Sequence, residues 1–331
     1  MAQQTVGSTA DKDMPPSTQP PPSVAGPTFA QRLADTNTHA LTLEISPPKG
    51  SDAAAFLARI KPLAGLVDAI NVPDCQRAIL KMSSLAASKL IQDELNIEAV
   101  WQLTTRDRNL LALQGDVLGA WAMGIRTILP LTGDPVQIGD HAHVAKAVSH
   151  LDSLRLIDMI REMNQDLDAT GKTLPKGGTR FTYGAALNPH RMSRQAQITR
   201  IQAKIAKQVQ FFQTQPVYDL TPVKHTLELI THLADKEGVA VPKLLIGIIP
   251  PKSAEFARFM NKNIVGIEIP DRFIEKLEKS ADPKQEAITY CADLMATFAP
   301  YVDGFHIMPV GMEKSAPVLM ETCHRQQVFK R

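Results

Sequence analysis

The sequence lacks the features that mark several classes of protein. Its 331 residues include three cysteines, Cys75, Cys291 and Cys323, which form no CxxC pair and show no spacing typical of metal ligands. Scattered thiols are typical of a reducing compartment, so we predict a cytoplasmic protein with no metal site. No apolar run approaches the roughly 20 residues that a membrane-spanning helix needs, which argues against a transmembrane protein.

Charge of one sign and phosphate-binding loops are lacking as well. The net charge is +2 with 21% charged residues, so no surface suited to nucleic acid or to an acidic membrane is indicated. Neither GxGxxG nor GxxxxGKS/T occurs anywhere in the chain. What the sequence does have is 44% hydrophobic residues, which is enough for one large domain with a substantial core.

The first 38 residues differ in composition from the rest. Residues 14–22, MPPSTQPPP, are rich in proline and show no hydrophobic period. Such a stretch cannot bury enough apolar surface to offset the entropy lost on ordering. It also lacks the apolar core of a secretion signal, and its early acidic residues are atypical of a transit peptide. We therefore predict a disordered tail over residues 1–38 and one catalytic domain over residues 39–331.

From residue 39 onwards, short β-branched runs alternate with amphipathic stretches. Strands are predicted at 40–45, 66–72, 97–104, 126–131, 179–186, 209–214, 243–249 and 302–308. Helices are predicted near 52–64, 76–95, 108–123, 152–170, 192–207, 220–236, 253–262 and 284–299, with one more close to the C-terminus. We interpret residues 263–282 as an insertion in the seventh unit, with a short helix that starts at Asp271.

Eight strand–helix units predict an α/β protein with a (β/α)8 TIM barrel. The alternative is an open doubly wound sheet, but that fold usually carries a glycine-rich loop after its first strand. Here the first strand is followed by two prolines at Pro47 and Pro48. The barrel is therefore favoured, and its chemistry is expected at the carboxyl ends of the strands.

Glu44 stands at the end of the first predicted strand, just before the two prolines turn the backbone away. A carboxylate near the end of a buried strand needs a partner or a proton, because burying a bare charge is costly. The apolar strand around Glu44 suggests that it can hold a proton, as a general acid must. A lone glutamate at such a place could equally face water at a strand edge.

The other strand ends carry mainly amides and hydroxyls. They include Asn71, Gln102, Thr104, Thr132, Asn188 and Gln215. This set suits a neutral heterocycle with many donors and acceptors, such as a flavin or a pterin, and suits a metal poorly. Two of the strand-end residues have simpler interpretations, since Gln215 could be a satisfied core amide and His306 a packed, hydrogen-bonded histidine.

Thr132-Gly133-Asp134 follows the fourth predicted strand. Glycine lets a flat ring approach the backbone closely, and an aspartate can accept from ring N–H groups or change the ring's redox potential by its charge. The alternative is an ordinary turn in which Asp134 caps the next helix. Both interpretations remain open on the sequence alone.

Four segments together resemble the methylenetetrahydrofolate reductase family. They are residues 44–49 (EISPPK), 102–109 (QLTTRDRN), 131–135 (LTGDP) and 214–219 (TQPVYD). The similarity runs in the family's order from about residue 40 to residue 310. The resemblance implies an oxidoreductase of one-carbon metabolism that interconverts 5,10-methylene- and 5-methyl-tetrahydrofolate, with FAD as its cofactor and NADH or NADPH as electron partner. A homo-oligomer is compatible with this expectation.

The resemblance also implies roles for individual residues. Glu44 would be the acid that binds and protonates the folate, and Asp134 would serve catalysis, folate binding and flavin binding. Gln215 would contact the folate, and Lys204 would bind an FAD phosphate. The remaining expected cofactor contacts are Asn71, Gln102, Thr104, Thr132, Gly133 and Asn188.

The chain departs from the family pattern at Gln102, Thr132, Leu187 and Gln197, where a histidine, an arginine, a tyrosine and an acidic residue are expected. These departures concern the flavin and NADH sites more than the folate chemistry. Two alternatives therefore stay open, a non-redox pterin-binding methyltransferase and a partner subunit that has lost flavin chemistry. The direction is open too, either reductive for methionine biosynthesis or oxidative in one-carbon catabolism.

Overall fold

Eight parallel strands form a closed barrel in which each strand pairs with the next and the first pairs with the last. The computed structural model describes residues 26–148, 150–191, 195–264 and 266–329. The strands are β1 Ala40–Glu44, β2 Ala69–Val72, β3 Glu98–Thr104, β4 Thr127–Leu131, β5 Thr182–Leu187, β6 Phe211–Pro216, β7 Lys243–Ile248 and β8 Gly304–Ile307. The prediction of a (β/α)8 barrel is confirmed, and the open sheet is wrong.

Every strand is followed by at least one helix. The helices are α1 Phe29–Ala34, α2 Ala54–Ile60, α3 Ser84–Leu95, α4 Leu110–Ala122, α5 Ser153–Met163, α6 Gln195–Ala206, α7 Leu220–Glu237, α8 Ala254–Asn263, α9 Asp271–Lys279, α10 Pro283–Phe298 and α11 Ala316–Arg325. Three of them, α8 to α10, follow β7, which confirms the insertion in the seventh unit. No helix in the described part of the chain is both long and apolar enough to span a membrane.

Alternate residues of each strand point into the barrel, and they form layers along its axis. The lowest layer is apolar and is made by Ala40, Ala69, Val100, Leu129, Phe211 and Leu245. The layer above it is polar, because the next inward positions carry Thr42 on β1 and Gln213 on β6. Two residues further along β1 stands Glu44. The barrel therefore changes from apolar to polar towards the carboxyl ends of its strands.

The predicted tail over residues 1–38 extends too far, because residues 26–38 include helix α1. Phe29 and Leu33 lie one helical turn apart and pack on the apolar layer, with the ring of Phe29 edge-on to Phe211 at 5.5 Å. The average hydrophobicity of residues 1–38 is low, so the two buried residues of α1 do not stand out in the sequence. Residues 1–25 lie outside the described part of the chain.

Helix α1 is tied to the barrel by charged groups at its start. Glu98 at the beginning of β3 is buried, and its carboxylate accepts from the backbone N–H of Phe29 at 2.7 Å and from the Thr127 hydroxyl at 2.8 Å. Burial raises the pKa of Glu98 in spite of these two donors. Arg32 pairs with Asp68 at 3.2 Å. The amino end of the barrel is thus closed by a fixed plug.

Candidate functional site

A network of amides crosses the polar layer of the barrel. Asn71 and Gln213 exchange two hydrogen bonds, from Asn71 Nδ2 to Gln213 Oε1 at 2.7 Å and from Gln213 Nε2 to Asn71 Oδ1 at 3.1 Å. Gln213 Nε2 also donates to the Thr42 hydroxyl at 3.0 Å. Asn71, which the sequence predicted as a cofactor contact, is fully buried and spends its amide on this pair.

Glu44 lies above this network with only 11% of its side chain exposed. Its Oε2 accepts from Gln102 Nε2 at 2.9 Å, and its Oε1 accepts from Gln76 Nε2 at 3.2 Å. The surroundings of the carboxylate are therefore polar, whereas the sequence suggested apolar ones, because Gln102 of β3 and Gln76 of the loop after β2 both reach it. Gln102, predicted as a flavin contact, holds the carboxylate of Glu44 with its nitrogen.

His306 on β8 completes the surroundings of Glu44. Its Nδ1 lies 2.9 Å from the Thr42 hydroxyl, and its Nε2 lies 3.8 Å from Glu44 Oε2. The Thr42 oxygen also accepts from Gln213 and lies 3.5 Å from the Phe305 carbonyl oxygen, so its hydroxyl can pair with either tautomer of the imidazole. The ring is buried between Thr42 and Glu44, and the prediction of a packed, hydrogen-bonded histidine is confirmed.

Asp134 follows β4 and is half-buried. Its Oδ2 accepts from the backbone N–H of Arg77 at 2.6 Å, so it binds the loop after β2 instead of capping the next helix. Gly133 has φ +88°, and a Cβ at this position would lie 3.1 Å from the side chains of Thr104 and Arg106. The structure thus gives a reason for the glycine that is independent of a bound ring.

Thr104 and Thr132 make hydrogen bonds within the protein. The Thr104 N–H and hydroxyl both donate to Asp74 Oδ2, at 3.0 and 2.8 Å, and Asp74 in turn pairs with Arg108 at 2.6 Å. Thr104 is buried by this arrangement. Thr132 is exposed, and its hydroxyl accepts from the backbone N–H of Ser153 at 3.2 Å, at the start of α5. Thr132 therefore stands at the rim, while Thr104 faces inward.

Lys204 on α6 is directed at the barrel wall. Its Nζ donates to the Ala186 carbonyl oxygen at 2.6 Å, and the residue is 9% exposed. Burial, with a smaller contribution from Arg200, lowers the pKa of Lys204 to about 8. Nearby, Asn188 Oδ1 accepts from the backbone N–H of His190 at 3.1 Å. The structure brings neither Lys204 nor Asn188 to the centre of the barrel mouth.

Gln215 lies at the carboxyl end of β6, where the pairing register with β7 shifts between Gln213 and Pro216. It is exposed, and its side chain makes no hydrogen bond with any described residue. The interpretation as a satisfied core amide is therefore wrong for Gln215 and correct for Gln213, two residues earlier. Of the two departures from the family pattern closest to α6, Leu187 packs in the core and Gln197 is half-buried.

The residues present fit the ring of a flavin or pterin better than they fit a phosphate. Within the described residues, Gln102 Oε1 and Asp134 Oδ1 accept no hydrogen bond, so both remain available to ring N–H groups. Thr132 is exposed beside them. Lys204, in contrast, is buried against a backbone carbonyl. The ring end of FAD has candidate partners here, and the expected phosphate contact at Lys204 does not fit.

Sequence reasoning did not select Gln76 or Gln213 as site residues. Gln213 had a signal, because it is one of two glutamines, two residues apart, at the carboxyl end of β6. Gln76 had none, since it lies in a loop whose backbone conformation the residue types do not indicate. His306 was noted at its strand end, but its proximity to Glu44 could not be predicted, because it depends on the pairing of β1 with β8.

Comparison with known proteins supports the resemblance seen in the sequence. No curated protein matches the chain. A solved structure of an uncharacterized protein from Clostridium thermocellum, which binds two copies of 5-methyl-5,6,7,8-tetrahydrofolic acid, is similar with a TM-score of 0.59 and 16% identity, over 90% of this chain and 99% of that one. This likeness concerns the fold. The profile of the family Methylenetetrahydrofolate reductase matches residues 29–324, and the chain therefore belongs to the methylenetetrahydrofolate reductase family.

Proposed function

We propose that this protein is a flavin-dependent oxidoreductase that interconverts 5,10-methylene- and 5-methyl-tetrahydrofolate, with FAD as cofactor and NADH or NADPH as electron partner. The observation that carries the proposal is the place of Glu44, a nearly buried carboxylate at the carboxyl end of β1 with two amides on its oxygens. Membership of the family supports a folate substrate. The Clostridium thermocellum protein of the same fold binds 5-methyl-tetrahydrofolate, which agrees with this choice.

Glu44 would act as the general acid. The one-carbon unit of methylene-tetrahydrofolate bridges N5 and N10, and its carbon becomes electrophilic when the bond to N10 breaks. A proton that Glu44 donates to N10 stabilises the leaving nitrogen, and the electron pair of N5 then forms an iminium with the carbon. Gln102 fixes the carboxylate from the β3 side. His306 Nε2 lies 3.8 Å from the same oxygen.

Asp134 and Gln215 would hold the rings at the barrel mouth. The free oxygen of Asp134 accepts from a ring N–H, and the exposed amide of Gln215 can donate to and accept from a pterin edge. Gln102 Oε1, Thr132 and Gly133 would lie along the flavin ring. When bound, FAD would supply the hydride chemistry.

A second candidate is a pterin-binding protein without flavin chemistry, such as a methyltransferase. The observation in its favour is that three expected cofactor residues, Asn71, Thr104 and Lys204, spend their polar side-chain atoms on bonds within the protein. This candidate keeps the roles of Glu44 and Gln215 in folate binding. It predicts that added FAD does not bind.

The visible absorption spectrum of the purified protein, with and without added FAD, separates the two candidates. We expect a protein-bound flavin band that bleaches when 5-methyl-tetrahydrofolate is added without oxygen. Reduction by NADH and by NADPH in separate cuvettes then identifies the electron partner. Absence of flavin binding at excess FAD would overturn the oxidoreductase proposal and favour the pterin-binding protein.

A further inference from the structure

The loop between β2 and α3 contains three non-glycine residues in the left-handed region within four positions. Cys75, Arg77 and Ala78 have φ of 45°, 58° and 53°. Such conformations are uncommon for residues with a Cβ and are found together where a functional site requires them. Gln76 lies inside this left-handed segment, which comprises residues 75–78.

The left-handed segment is held by the loop that follows β4. Asp134 Oδ2 accepts from the N–H of Arg77 at 2.6 Å, and Asp140 Oδ1 accepts from the N–H of Leu80 at 3.0 Å. The two loops also touch directly, because a Cβ added to Gly139 would lie 2.1 Å from the Ala78 carbonyl oxygen. Two aspartates of the β4 loop thus fix the backbone on either side of Ala78.

Arg106 joins the same two loops from β3. Its Nη1 donates to the carbonyl oxygens of Cys75 and Asp134, both at 3.3 Å. The guanidinium is buried, so these bonds are shielded from water. The residues on both sides of Gln76 are therefore held close to Asp134, Cys75 through Arg106 and Arg77 directly.

Gln76 points from this segment to Glu44. Its Nε2 donates to Glu44 Oε1 at 3.2 Å, while its Oε1 lies 3.5 Å from the Ser46 hydroxyl. Arg77, which binds Asp134 through its N–H, directly follows Gln76, which binds Glu44 through its side chain. The two carboxylates of the site are thus linked through one short piece of backbone.

A general acid must accept and lose a proton while its position stays fixed. Both oxygens of Glu44 accept from amide nitrogens, and when one of these oxygens carries a proton, an amide that presents its oxygen can accept a hydrogen bond from that proton. Gln102 is 6% exposed and held within the barrel. Gln76 is exposed on its loop and can turn its amide by half a rotation without moving the backbone.

We propose that Gln76 is a positioning residue for Glu44 in both protonation states, and that Asp134 sets its place through the Arg77 backbone amide. The first part rests on the proposed function, in which Glu44 is the acid. The second part concerns contacts within the protein and holds for either candidate function. A change at Asp134 would then reach Glu44 without any contact between the two side chains.

The link between Asp134 and the left-handed segment is tested by amide hydrogen exchange, which needs neither flavin nor turnover. We expect Asp134→Ala to speed exchange of the Arg77 amide at least about tenfold, because the amide loses its acceptor. Asp52→Ala, which removes a similar cap from Ala54 at the start of α2, is the control and should leave Arg77 unchanged. Unchanged exchange at Arg77 in Asp134→Ala would overturn the link.

The role of Gln76 is tested by separating binding from reaction. In Gln76→Ala we expect the single-turnover rate of the folate half-reaction to fall roughly tenfold through misplacement of the acid, while calorimetry gives a Kd for 5-methyl-tetrahydrofolate within about threefold of the wild type. Gln76→Asn keeps the amide on a side chain one methylene shorter and should recover part of the rate, because the amide makes the bond to Glu44. Gln285→Ala, an exposed glutamine on α10, is the matched control.

A rate in Gln76→Ala equal to that of Gln285→Ala would overturn the positioning role. When Gln76→Ala is added to Asp134→Ala, the single-turnover rate should fall by less than about twofold further, because the loss of Asp134 has already released the left-handed segment. If the double variant instead lost the product of the two single-variant rate effects, the positioning role would also be overturned. If the protein binds no flavin, the proposed function fails by itself, and hydrogen exchange at Arg77 still decides whether the link between Asp134 and the left-handed segment exists.

Discussion

His306 Nε2 lies 3.8 Å from Glu44 Oε2, and the same ring bonds Thr42 through Nδ1. The ring therefore joins the buried amide network to the carboxylate at the barrel mouth. Because Thr42 also accepts from Gln213, the orientation of the imidazole depends on a chain of hydrogen bonds that begins on the opposite side of the barrel. The surroundings of Glu44 are thus determined by β3, β6 and β8 together.

Glu44→Gln should abolish the folate half-reaction and preserve the fold. The amide keeps the size of the side chain but cannot donate an acid proton, so we expect the single-turnover rate to fall by about a hundredfold or more. Thermal unfolding should change little. If Glu44→Gln retained turnover while Asp134→Ala abolished it, the acid would have to be assigned elsewhere.

Gln213→Leu and Gln215→Leu form a matched pair at the carboxyl end of β6. Gln213 is 3% exposed and makes three hydrogen bonds, so its loss leaves the buried Asn71 amide without a partner and removes one of the bonds to Thr42, which should lower the free energy of unfolding by about 1–3 kcal/mol. Gln215 is exposed and should change stability by less than about 0.5 kcal/mol. Calorimetric Kd values for 5-methyl-tetrahydrofolate should show the reverse order, with Gln215→Leu binding more weakly than wild type.

The strands could be predicted from the sequence because buried parallel strands are short apolar runs between turns. All eight were found, with ends that differ from the structure by up to about three residues, as fraying and turn geometry do not follow from hydrophobicity. Helix α1 was missed because only Phe29 and Leu33 carry its packing. The two side chains are buried by the apolar end of the barrel, and this surface exists only once the strands have closed.

The site was predictable as a set of strand ends and not as a set of contacts. Glu44, Asp134 and Gln215 stand at the mouth, as the strand order implies. The sequence could not tell that Asn71 and Lys204 would turn to partners within the protein, because the direction of a long side chain depends on its neighbours in space. The left-handed segment at residues 75–78 has no glycine to announce it.

Lys204 should make stability rise with pH. Burial lowers the pKa of Lys204 to about 8, so between pH 8 and its ordinary value of 10.5 the unfolded chain holds a proton that the folded chain has released. The free energy of unfolding should therefore increase by roughly 2 kcal/mol from pH 8 to pH 10 from this group. Denaturant titrations of Lys204→Met should lack this increment, whereas the exposed Lys236→Met should keep it.

Gly133→Ala and Gly115→Ala should have opposite effects on stability. At Gly133 the positive φ and the close side chains of Thr104 and Arg106 oppose a Cβ, so we expect a loss of at least about 1 kcal/mol. Gly115 lies inside α4 with open space around it, and alanine there should stabilise by about 0.5–1 kcal/mol. Equal effects in urea unfolding would contradict this account of Gly133.

Phe29→Ala tests whether α1 is part of the folded domain. Phe29 is fully buried against the apolar layer, so its truncation should lower the free energy of unfolding by about 3–5 kcal/mol. Phe259 on α8 is 45% exposed, and Phe259→Ala should cost much less. A small effect of Phe29→Ala, equal to that of Phe259→Ala, would show that the domain begins after α1, as the sequence suggested.

Helix α1 closes one pole of the barrel, and Glu44, Asp134 and Gln215 surround the other. The molecule could therefore be attached to a support at the α1 end without covering the site at the other end. A sensor surface or carrier joined at the α1 pole would leave the opposite pole facing the bulk liquid, so that ligands could reach it by free diffusion. The same molecule attached at the rim would have its entrance covered by its own support.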